Sequence, residues 1–482
     1  MNAVWLRNDL RLDDNPAFYF ACQDAKEKAR PVCVIYCATP EQWHAHNEAG
    51  AKIGFRAAAL SDLRARLRLS GIALHLIEVA RFDDCAEALL KFARSHQIHS
   101  LWFNSEVPLD EQRRDQEVKQ KLKTENIDTH SFQADFLVSP ELLRTKQGGI
   151  YKVFTPWYKA WLQQLDDHPP LPVPDVNDNS RPGLTPKSNQ LEVSAEPIAL
   201  PGADTFRSDL WPAHEQTALD RATQFCNEKL HRYLDSRDIP SINGTSTLSP
   251  YFASGLISAR RCLKIIQDSY RDHNTTSSWR SDPWLREIAW REFYRYLMLN
   301  FPKLSRNEPF KPDTEQLHWE SNPNLVSAWQ KGMTGFPIID AAMRQLNQTG
   351  WMHNRLRMLA ASFFTKLMLE HWSKGEAYFM EKLLDGDFAS NNGGWQWSAS
   401  TGCDASPWFR VFNPTRQSEK FDPQGHFIRK FVPELASLDN KSVHNPSLDQ
   451  RHKVAYPDPI IDYSMARERV LERFRALNEL SA

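Results

Sequence analysis

Residues 32–77, VCVIYCATPEQWHAHNEAGAKIGFRAAALSDLRARLRLSGIALHLI, set two short apolar runs, 32–36 and 72–77, on either side of a helical stripe. In that stripe Ile53, Ala57, Leu60, Leu63 and Leu67 recur at three- and four-residue steps, which places them on one helix face. Short, nearly continuous apolar runs suit strands covered on both faces. Working outward, Val4-Trp5-Leu6 and Leu101-Trp102-Phe103 add two more such runs. Residues 1–131 therefore read as an α/β domain, a doubly wound parallel sheet. No GxGxxG follows the first run and no GxxxxGK[ST] occurs, so the dinucleotide and triphosphate signatures are absent. The main cofactor is expected elsewhere.

Residues 132–204 read as an interdomain linker. Pro169, Pro170, Pro172, Pro174, Pro182, Pro186, Pro197 and Pro201 punctuate its second half and oppose regular structure. From 205 to 482 the helical period dominates, which predicts a large all-α domain. Pro250, Pro283 and Pro337 stand where they would open helices, and Gly350 where it would close one.

Composition narrows the function. A length of 482 residues suggests about three domains. With 59 basic and 60 acidic residues the net charge is −1, so an anionic partner needs a local basic patch. Apolar residues at 41% and charged residues at 25% exclude a mostly disordered chain. No apolar run approaches a membrane span, and MNAVWLRNDLRLDDN lacks a secretory core, so a cytoplasmic protein is expected, as a monomer. Seven cysteines without a CxxC pair argue against a disulfide framework, and no metal site is expected. Of 16 tryptophans, 10 fall between Trp279 and Trp408.

Four segments carry chemistry. In WLREIAWREFYRYL (284–297), Glu287, Trp290 and Arg291 share a helix face, joining an acceptor, a flat aromatic plate and a cation. Taken alone, it reads first as a surface helix with salt bridges. In GWMHNRLRMLAASFF (350–364), Asn354, Arg357 and Met358 share a face beside Arg355. An amide there can bond a base edge, but taken alone the segment reads first as a helix start with polar residues at its mouth. In LLDGDFASNNGGWQWSASTG (383–402), Asp385, Asp387, Asn391 and Asn392 stand among three glycines that permit close approach to a ring system. Here a functional loop is the better reading. In NGTSTLSPYFASG (243–255), the hydroxyls of Thr245, Ser246, Thr247 and Ser249 suit a phosphate at a helix start, though taken singly the run reads first as a plain N-cap.

These segments, in this order, resemble the DNA photolyase/cryptochrome family, closest to its class I cyclobutane pyrimidine dimer photolyases. The likeness runs from WLRNDLRLDDNPA (5–17) through KVFTPW (152–157), TGFPIIDAAMRQLNQTGWMHNRLRM (334–358) and DGDFASNNGGWQW (385–397) to FNPTRQSEKFDP (412–423). The resemblance implies light-driven repair of dimers in ultraviolet-damaged DNA. In that chemistry an electron passes from photoexcited reduced FAD to a flipped-out dimer.

Residue by residue, the resemblance implies that Tyr233, Thr245, Ser246, Thr247, Leu248 and Ser249 hold the FAD phosphates and ribose side. Trp284, Arg357, Asp385 and Asp387 line the flavin, Arg357 and Asp385 as an ion pair, with Asn391 near its reactive nitrogen. Glu287, Trp290, Asn354, Met358 and Trp397 contact the lesion. Trp395, Trp372 and Trp319 form an electron relay to the surface. Asp235, Arg237, Arg291 and Arg355 meet the DNA backbone. His46, Asp110 and Glu111 match a 5,10-methenyltetrahydrofolate antenna site, although relatives carry Asn at position 110 and Lys at position 306, where this chain has Asp110 and Arg306. A flavin or deazaflavin antenna, or none, stays open.

Three other functions compete. A signalling cryptochrome is opposed by the five lesion residues. A (6-4) photoproduct enzyme is opposed by His353-Asn354 where a histidine pair would stand, and by Met358. A DNA-binding module would not need Asp385, Asp387 and Asn391.

Overall fold

The computed structural model describes residues 1–170, 196–272 and 278–480. Five parallel strands form one sheet: β1 (Asn2–Leu6), β2 (Val32–Ala38), β3 (Ala73–Glu78), β4 (Ser100–Asn104) and β5 (Asp128–Phe132), in the order β3-β2-β1-β4-β5. β1, β2 and β4 are buried along their whole length, as their apolar runs require. The crossovers contain α1 (Pro16–Glu27), α2 (Pro40–Ala45), α3 (Gly50–Leu69), α4 (Cys85–Ser95) and α5 (Leu109–Lys123). α3 buries Ile53, Ala57, Leu60, Leu63 and Leu67, the stripe read from sequence. β5 has no counterpart in that reading. Its sequence DTHSF lies at the sheet edge, half-exposed, so nothing selects an apolar run there.

Within 132–204 a regular element does form, α6 (Phe154–Asp167), which buries Phe154, Trp157, Trp161 and Leu165. The proline-rich connector falls largely on residues 171–195, which lie outside the described residues. Beyond it the chain is helical: α7 (Glu215–Glu228), α8 (Tyr233–Ser236), α9 (Ser249–Ala253), α10 (Ala259–Asp272), α11 (Pro283–Asn300), α12 (Pro323–Lys331), α13 (Pro337–Thr349), α14 (Asn354–Ser362), α15 (Trp372–Lys382), α16 (Phe388–Ala399), α17 (Pro414–Phe421), α18 (His426–Phe431), α19 (Leu448–Lys453) and α20 (Tyr463–Leu480). Pro283 and Pro337 open α11 and α13, and Gly350 closes α13 with φ +69°, a left-handed cap that favours glycine.

The chain divides into two compact units, one of residues 1–228 and 246–302 and one of residues 229–245 and 303–482. The division does not follow the expected boundary at 204/205, and the physical reason lies in polar ties inside the first unit. Glu215 on α7 accepts from the backbone N–H groups of Leu12 and Asp13. Arg260 on α10 donates to Asp14, and Glu292 on α11 accepts from the N–H groups of Leu137 and Val138. Helices α7, α10 and α11 are thus fastened to the N-terminal layer. The second unit has its own core around Trp329, Ile339, Phe364, Trp372 and Trp395. All seven cysteines are free and buried. Among the described residues no helix is long and apolar enough to cross a membrane.

Candidate functional site

In the first unit α11 is started by Asp282, whose carboxylate accepts from the N–H groups of Trp284 (2.8 Å) and Leu285 (3.0 Å) and from the Tyr270 hydroxyl (2.8 Å). Sequence reading passed over this cap. Asp282→Ala is expected to cost about 1 kcal/mol, read as a lowered melting temperature. The cap sets the register in which Trp284 is buried against Phe225 while Glu287 and Trp290 stay half-buried. Arg291 donates to Asp135 at 2.5 Å and Arg295 to the same carboxylate at 2.6 Å. The two guanidinium groups hold the Asp135 carboxyl down at about 2 against the effect of burial. The Arg291 charge, expected to be available to a phosphate, is therefore shared with a carboxylate.

The hydroxyl-rich segment departs from a simple N-cap. Leu248 occupies the cap position of α9, and no side chain caps it. Thr247 has φ +52°, a conformation rare for a β-branched residue. Its Oγ1 accepts from Arg221 on α7 at 3.3 Å, so this backbone has a cation beside it that sequence reading did not single out.

At the carboxyl ends of β1 and β4, where the strand order reverses and such sheets bind ligands, charged groups concentrate. Arg114 pairs with Glu106 (2.6 Å) and Arg7 with Asp115 (3.2 Å). His46 Nε2 lies 3.3 Å from the Asp110 carboxylate. Burial, with Glu106 nearby, pushes the Glu111 carboxyl up to about 8, and its Oε2 is buried without a partner.

In the second unit Arg357 and Asp385 form the expected ion pair, 2.7 Å between Nη2 and Oδ2. The Asp385 side chain is 1% exposed, and its Oδ1 is buried with no hydrogen-bond partner. Asp387 caps α16, accepting from the Ser390 N–H at 2.9 Å. Asn391 Nδ2 donates to the Glu376 carbonyl (3.0 Å) and carboxyl (2.9 Å). Two acceptors on one side fix the amide, leaving Oδ1 as the acceptor on the other.

Burial pushes the Glu376 carboxyl up to about 7 from its ordinary 4.5. The fold then retains a proton that the unfolded chain releases. This stabilisation is complete below pH 4.5 and is lost as pH rises through about 7. Glu376→Gln is expected to flatten that limb of a melting-temperature-against-pH curve; parallel curves would contradict it.

Asn354 is exposed, and Met358 and Trp397 are half-buried. His353 caps α14, its Nδ1 accepting from the Arg355 N–H at 3.2 Å. Burial drives the His353 ring down to about 4, so it is neutral and free to accept. Arg355 pairs with Asp238 at 2.8 Å and lies over the Phe421 ring, a second expected DNA contact whose charge is already shared. Arg237 lies over the Tyr233 ring, and Asp235 is exposed. Trp395 and Trp372 are buried and Trp319 is half-buried, with the His371 ring 5.3 Å from Trp319 and 5.6 Å from Trp372.

Comparison with known proteins gives these residues a setting. The family description "DNA photolyase" matches residues 2–175, and "FAD binding domain of DNA photolyase" matches residues 284–476. The deoxyribodipyrimidine photo-lyase of Salmonella typhimurium is 41% identical over 482 residues, covering 98% of both chains. That of Escherichia coli is 40% identical over 481 residues, again covering 98% of each. The chain belongs to the DNA photolyase family.

Solved photolyase-family structures agree. A bacterial class III photolyase from Agrobacterium tumefaciens superposes with a TM-score of 0.82 at 32% identity, covering 99% of this chain and 97% of that one. A Synechocystis cryptochrome has a TM-score of 0.83 at 24% identity, covering 98% of each chain, and shares the fold. The family's FAD-binding domain contains Arg357, Asp385 and Asn391, and these residues fit such a cofactor. The unpartnered Asp385 Oδ1 and the Asn391 Oδ1 are acceptors, and a flavin nucleotide carries ring N–H and ribityl O–H donors to meet them.

Proposed function

We propose that the chain is a deoxyribodipyrimidine photo-lyase that repairs cyclobutane pyrimidine dimers in DNA with light. The observation that carries this reading is the Arg357–Asp385 pair, whose buried Asp385 Oδ1 has no partner, within the stretch that matches the FAD binding domain of DNA photolyase. Of the residues assigned to the flavin, Trp284 and Asp385 are 4% and 5% exposed while Arg357, Asp387 and Asn391 are half-buried, and Glu287, Trp290, Asn354, Met358 and Trp397 all keep accessible surface. Accessible aromatic and polar side chains are what chemistry on an extruded base requires. Photolyases are among the enzymes known to extrude their target nucleotide, at a cost of a few kcal/mol that is smallest for damaged pairs.

When bound, reduced FAD supplies the photoexcited electron and receives it back after the ring opens. The chain's residues divide the remaining work. Arg357, compensated by Asp385, places positive charge at the flavin without a net charge. Asn391 offers a neutral acceptor. Trp290 and Trp397 each offer an indole plane to the dimer, and Met358 an adaptable side chain. Glu287 and Asn354 bond the pyrimidine edges and so reject planes that lack them. Trp395, Trp372 and Trp319 conduct electrons inward to oxidised flavin. His46, Asp110 and Glu111 hold a folate antenna, for which the unpartnered Glu111 Oε2 is a suitable acceptor when ionised and a donor when protonated.

The test is a dimer-containing oligonucleotide illuminated with the reduced protein. Glu287→Ala is expected to lower the repair yield per absorbed photon while leaving flavin bound, because a base-edge bond is removed and no cofactor contact. An unchanged yield under limiting light would remove Glu287 from the lesion site.

A further inference from the structure

We propose that Phe154 is a positioning residue for Trp290, fixing the indole plane on which a damaged pyrimidine stacks. The two rings lie parallel, centroids 3.6 Å apart and planes 8° from each other. Phe154 is 1% exposed and opens α6, so it is anchored by backbone and packing alike. Its edge meets Phe293 at 5.5 Å, and the Arg286 guanidinium lies over its ring at 5.6 Å. Trp290 remains half-buried. With one face covered by Phe154, its accessible area belongs to the opposite face and the ring edge. Phe293 and Tyr294 approach that indole only at an angle, 78° and 34°, so neither serves as a parallel plate.

A second tie holds the two helices in this relation. Two turns along α6, Trp161 Nε1 donates to Glu292 on α11 at 2.9 Å, and the same carboxylate accepts from Leu137 and Val138 at 2.9 and 3.1 Å. Glu292 is two residues from Trp290. The stack is thus set by an aromatic contact at one level and a three-donor carboxylate clamp at another. A flat side chain held this way does not have to be immobilised when a ligand stacks on it, and that ordering costs affinity when the side chain is free. This inference rests on the reading that Trp290 contacts the dimer.

The experiment is a double-mutant cycle in the dark, with the flavin-loaded protein titrated by an oligonucleotide carrying one thymine dimer and by its undamaged twin. Phe154→Leu, with Phe154→Met as the alternative should the first fold poorly, is expected to weaken dimer binding about three- to tenfold. Undamaged binding and flavin absorption are expected to stay near the parent's, with the melting temperature lowered by the lost ring packing. In a Trp290→Ala background the same substitution is expected to do nothing further. Equal losses in both backgrounds, or equal losses for damaged and undamaged DNA, would overturn the proposal, since Phe154 would then act on the fold at large. Full dimer affinity in Phe154→Leu beside a large loss in Trp290→Ala would overturn it while sparing the Trp290 reading. Full affinity in Trp290→Ala would overturn both.

Discussion

Arg357→Ala is expected to release the flavin and to cost the folded protein about 3–5 kcal/mol. The Asp385 side chain is 1% exposed, with one oxygen 2.7 Å from the guanidinium and the other unpartnered. Removing the cation leaves a buried carboxylate with no compensating charge, which is the expensive way to break such a pair. Arg357 also donates from Nε to the Met352 carbonyl at 2.8 Å, so the turn ahead of α14 loses a tie as well. The double variant Arg357→Ala/Asp385→Asn is expected to recover most of the melting temperature of the cofactor-free protein without regaining flavin. Thermal unfolding and visible absorption separate the two effects. A single variant that melts like its parent and keeps its flavin would show that the pair does neither.

The second large effect is on photoreduction. Trp372→Phe is expected to abolish light-driven reduction of oxidised flavin while leaving repair intact when the flavin is supplied reduced. Gly375 follows Trp372 by one turn of α15, and a Cβ built on it would lie 2.2 Å from Cη2 of Trp395. The Trp395 indole therefore rests on the α15 backbone one turn from Trp372, with both rings in the same core. On the far side His371 lies between Trp372 and the half-buried Trp319. Phenylalanine fills most of the space but is far harder to oxidise, so the relay is cut while packing is largely kept. The check is flash-induced absorbance of the oxidised protein with an external electron donor. Normal photoreduction would take Trp372 out of the path.

Legibility in the sequence tracked how strongly local pattern and burial agree. β1, β2 and β4 were readable because strands covered on both faces become apolar runs; of the two edge strands, β3 keeps an apolar run although its second half is partly exposed, while β5, written DTHSF, leaves no such trace. Helix starts at Pro283 and Pro337 and the stop at Gly350 follow from backbone geometry that those residues carry with them. The placement of α7, α10 and α11 with the N-terminal layer was not readable. It depends on pairs such as Arg260 with Asp14, far apart in the chain, and no local period records them. At the site, the Arg357–Asp385 pair could be expected from resemblance. Asp282, Glu376, Arg221 and Phe154 act through neighbours that only the fold supplies. The charge sharing of Arg291 with Asp135 and of Arg355 with Asp238 is of the same kind.

The most direct measurement follows thymine-dimer content in a short ultraviolet-damaged oligonucleotide mixed with the flavin-loaded, reduced protein, in blue light and in darkness. Dimers are expected to disappear with repeated turnover in the light and to persist in the dark. A correctly folded protein that binds flavin yet leaves the dimers untouched under illumination, or removes them equally in darkness, would contradict the account.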